Sequence, residues 1–146
     1  MHRINELYSL SSLVFPKVMS SAITSSFFLP TGSNDITFVA DAGSPGLAAG
    51  KIFKMEILQS SGSAGTDATA IAAAENTFTA DAESGNTNGR LITSFDLSLV
   101  GEDKPFLAAR LSMDSGSPVV SLIAIQGERY GEDEINDGDN VSVKVV

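Results

Sequence analysis

Residues 89–126 read GRLITSFDLSLVGEDKPFLAARLSMDSGSPVVSLIAIQ, and this stretch decides the fold. Phe95-Asp96-Leu97-Ser98-Leu99 and Leu107-Ala108-Ala109-Arg110-Leu111-Ser112-Met113 place apolar residues at every second position, the period of a strand with one buried face. Between them, Gly101-Glu102-Asp103-Lys104-Pro105 is a turn, in which glycine relaxes φ, proline fixes it and three charges keep the segment in water. The pair therefore predicts a hairpin. Asp114-Ser115-Gly116-Ser117-Pro118 makes a second turn, and Val119 to Gln126, apolar on both faces, predicts a central strand.

Strand candidates continue outward in both directions. Ile23–Leu29 and Asp35–Ala40 flank the turn Pro30-Thr31-Gly32-Ser33-Asn34, and Asp41–Gly46 reads as a loop. Lys51–Gln59 alternates Phe53, Met55 and Ile57 against Lys54 and Glu56, with Leu58 the exception. Ser60–Thr69, small and polar, has the composition of a mobile surface loop. Ala68–Ala74 leaves helix and strand both open, because its alanines favour helix while Thr77, Phe78 and Thr79 beside it favour strand. Glu83–Gly89 is a loop ending in an Asn-Gly signal, with a strand starting at Arg90 and Leu91. Val141–Val145 alternates cleanly, as expected of a strand pairing with a sheet edge.

Seven or eight short strands separated by Gly, Ser, Pro and Asn turns predict an all-β fold, an antiparallel β-sandwich or jelly-roll-like single domain over residues 21–146, with barrel closure left open. Residues 1–20 lack clear alternation and read as an extended N-terminal arm. Its apolar residues Leu7, Tyr8, Leu10, Leu13, Val14 and Phe15 are the candidate partner contacts, packing on the domain or on another subunit.

Composition narrows the function. With no cysteine the chain has no disulfide and no thiolate chemistry, and its stability comes from packing or assembly. Nine basic against eighteen acidic residues give a formal charge of −9, which argues against a nucleic-acid surface and keeps free copies apart. The apolar stretch from Leu10 to Leu29 is interrupted by Pro16, Lys17 and serines, so neither a signal peptide nor a membrane span is expected.

No catalytic site is expected either. His2 is the sole histidine and sits at the second position, so a serine triad has no base within the domain. Most carboxylates fall in turns, where solvation explains them. The acidic run Glu128–Asp139 has the oxygen density to hold a cation but does not match the twelve-residue calcium loop, so it reads first as a solvated loop with a cation site left open. The glycine-rich loops lack a Gly-Lys-Ser/Thr run or a dinucleotide fingerprint, so no cofactor and no metal are expected.

Phe106-Leu107-Ala108-Ala109-Arg110-Leu111 followed by Gly116-Ser117-Pro118-Val119-Val120-Ser121-Leu122 resembles small β-sandwich virion proteins of tailed bacteriophages, in a style of sequence covering roughly residues 22–126. The resemblance implies a capsid decoration or cement protein, bound to the major capsid protein on the outer surface of the virion and made in the host cytoplasm. A homo-oligomer, trimer or dimer, is expected with it. Two alternatives stay open: a phage tail or neck subunit, and a non-catalytic sandwich that binds carbohydrate or a receptor.

Overall fold

The computed structural model describes residues 9–30, 34–43, 46–81, 88–127 and 141–146. Its strands are β1 (Ser9–Val18), β2 (Ile23–Thr24), β3 (Asp35–Gly43), β4 (Ile52–Ser60), β5 (Thr69–Ala70), β6 (Asn76–Thr79), β7 (Gly89–Asp96), β8 (Phe106–Met113), β9 (Val119–Gly127) and β10 (Val141–Val145). They form two five-stranded sheets, the first in the order β1-β9-β3-β7-β10 and the second in the order β2-β8-β4-β5 with β6 also paired to β4.

The pairing is nested. β1 pairs with β9, β2 with β8, β3 with β7, and β4 with β5 and β6, all antiparallel. The chain is thus a long hairpin wound across two sheets, stitched within each sheet by β3 on β9 and β4 on β8. That plan defines a jelly-roll-like sandwich. β10 departs from the antiparallel expectation, for it lies parallel to β7 at the sheet edge.

Alternation places the core. Ile36, Phe38, Ala40 and Ala42 of β3 are buried, and Phe53, Met55 and Ile57 of β4 are buried in the facing sheet. Each large side chain so placed contributes about 1.5–3 kcal/mol of burial. The second apolar face of β9 lies outward, where half-buried Ile123 is in register with Val39 of β3, and β9 has a neighbour on each side as expected.

Four local expectations change. The predicted hairpin of residues 95–99 with 107–113 does not form, because β7 ends at Asp96, Leu97–Leu99 is a 3-10 turn, and β7 and β8 lie in opposite sheets. The Asp96 carboxylate caps that turn by accepting the Ser98 N–H at 2.7 Å, which bends the chain across the sandwich. Ile23–Leu29 is regular strand only at Ile23–Thr24, with an isolated bridge from Phe28 to Leu107. Ser25 interrupts it, its hydroxyl accepting the Ala109 N–H at 3.1 Å where a backbone carbonyl would serve. The expected loop at 41–46 is strand through Gly43. The open segment 68–74 divides into β5 and a 3-10 turn, Ala72–Ala74.

Connections gather at the two ends of the sandwich. At one end the Leu47–Gly116 bridge, Met19 N–H to Pro118 O at 2.9 Å and Gly50 N–H to Ala80 O at 2.8 Å tie the turns together. At the other, Leu97 N–H reaches Asn34 O at 2.7 Å and Lys104 Nζ reaches Asp67 O at 2.7 Å. Gly65 is required there twice over, by its φ of +67° and because a Cβ would strike the Phe27 ring.

Asp67 organises the loop after β4. Its carboxylate accepts the Ser60 hydroxyl at 2.6 Å and the Ser61 N–H at 3.0 Å, and Lys104 Nζ lies 3.6 Å away. Those hydrogen bonds, Ser60 first, lower its pKa from 3.8 to about 2. A depressed carboxylate stabilises the fold fully above its unfolded value, and that contribution is lost as pH falls from about 3.8 toward about 2. In thermal melts over this window, the wild-type midpoint should fall more steeply than that of Asp67→Asn. Parallel curves would show that the loop does not depend on the charge.

Candidate functional site

Among the described residues, exposed apolar side chains concentrate on the outermost strand of the first sheet. β1 pairs with β9 on one side and has no described neighbour on the other, so alternate backbone N–H and C=O groups face outward. Leu10 is 62% exposed, Phe15 76% and Val18 61%, and Val119, in register with Val18, extends the patch.

Register shifts divide the strand. Pairing runs regularly from Ser9–Gln126 to Ser12–Ile123, then slips between Ser12 and Val14 and again between Val14 and Lys17. The slips come from bulges. The first turns Val14 into the core, 6% exposed, with Leu13 half-buried against it. The second throws Phe15 and Pro16 outward. Pro16 has no N–H, so the second half of the strand is a poor template for another strand, whereas residues 9–13 remain open to one.

The expected contacts therefore separate. Leu10 and Phe15 present surface, Leu13 presents some, Val14 is a core residue with almost none to offer, and Leu7 and Tyr8 lie outside the described residues, as does the acidic run 128–139. The described part of the segment expected as an arm is a strand of the first sheet. Val18 and Val119 complete the patch. Val119 is separated from β1 by a hundred residues of sequence, so only the register brings it there.

Between the edges of the two sheets, Leu13 to Lys17 and Ile23 to Ser26 line a groove of about 320 Å³. From Ser9 to Asn34 the only charged residue is Lys17, in a chain of net charge −9. The charged cluster lies elsewhere, on the second sheet, where Arg110 donates to Glu56 at 2.7 and 2.9 Å and Lys54 lies between Glu56 and Glu75 at 3.3 and 3.4 Å. Burial raises the Glu56 pKa, but the hydrogen bonds from Arg110 and Lys54 outweigh it and hold the carboxyl below its usual range. This is a cross-strand clamp with its charges paired. Among the described residues no three His, Cys, Asp or Glu are placed to hold a metal ion.

Nested pairing defines a jelly-roll-like sandwich whose outermost strand, β1, has no second neighbour among the described residues and carries exposed apolar side chains. No family model matches the sequence, and no curated protein matches it. Solved structures share the fold distantly. A chain of infectious bursal disease virus Gx strain aligns with a TM-score of 0.50 at 15% identity, over 86% of this chain and 32% of that one. The PBSX exported protein XepA aligns at 0.49 and 10% identity, over 95% and 43%. The C-terminal CBM6 of LamC from Zobellia galactanivorans aligns at 0.40 and 10%, over 84% and 94%. These likenesses bear on the fold alone, and the chain spans less than half the length of the first two matches.

Proposed function

We propose that this chain is a virion structural protein that decorates the outer surface of a capsid and stabilises it, with the major capsid protein as partner. The observation that carries the reading is the outer half of β1, residues 9–13, where Leu10 is 62% exposed beside backbone groups that have no second strand neighbour among the described residues. An edge of this kind accepts an extended segment from a neighbour, with the backbone supplying hydrogen bonds and Leu10 supplying apolar burial. Single contacts are weak, and many copies on a symmetric lattice add through avidity. The jelly-roll fold suits the role, though it hosts many functions.

The test mixes purified chain with source-virion shells stripped of it and measures co-sedimentation and the shell's disruption temperature. Wild type should bind and raise that temperature. Leu10→Lys, a change at an exposed position, should weaken binding roughly tenfold. Shells that neither bind the chain nor gain stability would overturn the proposal.

A further inference from the structure

The bulged half of β1 has a counterpart on the same molecule. At the opposite end of the sandwich, Leu29, Pro30, Leu97, Val100, Gly101, Glu102 and Pro105 line an apolar pocket of about 200 Å³. Leu97 and Val100 also pack against the core, which fixes the floor. The rim is held by Leu97 N–H to Asn34 O at 2.7 Å, Val100 N–H to Leu97 O at 3.1 Å, Gly101 N–H to Gln59 Oε1 at 2.8 Å and Lys104 N–H to Gly101 O at 2.9 Å. Little ordering is left for a ligand to supply. The volume is below the roughly 300–1,000 Å³ of small-molecule sites, whereas a cavity of about 150 Å³ already holds one benzene ring.

Phe15 is such a ring, 76% exposed on its bulge. It cannot fill the pocket of its own chain. Val14 beside it pairs with Leu122, five residues short of Gly127, so roughly 17 Å of strand separate it from the pocket end. Charges match across the two surfaces. Lys17 follows Phe15 by two residues and Glu102 lines the pocket, both exposed and neither in an ion pair among the described residues. In a chain of net charge −9, the β1–β2 segment carries no acidic residue and a single lysine, so Glu102 can approach it without local repulsion.

We infer that the occupant of the pocket is Phe15 of a second copy of this chain, docked head to tail with Lys17 against Glu102. The contact joins two different surfaces, so it repeats from copy to copy, and a ring forms where the rotation closes. It uses the bulged half of β1 and leaves residues 9–13 free. It needs only purified chain, so it stands or falls separately from shell binding.

Sedimentation equilibrium of the full chain from micromolar to millimolar concentration tests it. Wild type should associate at physiological ionic strength, where the net charge of −9 on each copy is screened beyond about 8 Å. Phe15→Ser, at an exposed position that leaves the fold intact, should weaken association roughly 10- to 100-fold. Lys17→Glu and Glu102→Lys should each weaken it about threefold or more, and the double swap should restore it. A wild type monomeric at millimolar concentration, an unchanged Phe15→Ser, or a double swap that recovers nothing would each overturn the inference.

Discussion

Phe38→Ala should lower the unfolding free energy by about 4 kcal/mol. Phe38 is fully buried on β3, the middle strand of the first sheet. Its ring lies 6.1 Å from Phe95, nearly parallel at 5°, and 6.2 Å from Phe28, tilted by 49°. Phe28 belongs to the connection running toward the pocket end, so the three rings bind that connection to the sheet. The cross-strand neighbours of Phe38 are Ala124 and Thr93, both too short to close over the space left by the ring. The cost therefore includes a cavity as well as lost transfer energy. Urea denaturation should show a lower midpoint with an unchanged slope, as for a native-state loss. A drop of under about 2 kcal/mol would contradict the packing described.

Asn76→Leu should cost about 3 kcal/mol although the side chains are similar in size. Asn76, 5% exposed on β6, donates from Nδ2 to Ile92 O and to Ser142 O, both at 2.9 Å. Its Oδ1 accepts the Ser142 hydroxyl at 2.6 Å. One amide thus ties the second sheet to β7 and β10 of the first and closes that side of the sandwich. Leucine would forfeit three hydrogen bonds worth about 0.5–1.5 kcal/mol each, the two carbonyls keeping the bonds they accept in the β7–β10 ladder. Ser142 is half-buried, so water recovers part of the loss. Denaturation and amide hydrogen exchange should agree, with β10 losing protection first. A loss below about 1 kcal/mol with β10 still protected would show that the strand is held by its ladder to β7 alone.

Much of the fold was legible because alternation is local. Phe53, Met55 and Ile57 announce β4 and its buried face, Val119 to Gln126 announces a strand with neighbours on both sides, and Val141–Val145 announces an edge strand. Phe95-Asp96-Leu97-Ser98-Leu99 misled because a 3-10 turn three residues long can continue a strand's alternation before the chain bends. Nothing in residues 95–113 distinguishes a hairpin from a crossing between sheets, since the same charged turn serves both. The candidate contacts were partly legible. Leu10 and Phe15 are exposed, as a contact with another subunit requires, while Val14 looked identical to them in sequence and packs in the core.

The sequence by itself determined the all-β class, most of the strands and the apolar face of each, because a period of two is set by the pleat and needs no distant partner. The tertiary structure alone decided which strands are neighbours, that β10 runs parallel to β7, and that two bulges turn Val14 inward and Phe15 outward. Register is a balance over whole sheets, where sliding one strand by one residue exchanges its buried and exposed faces, and that balance is not written in any single stretch of chain.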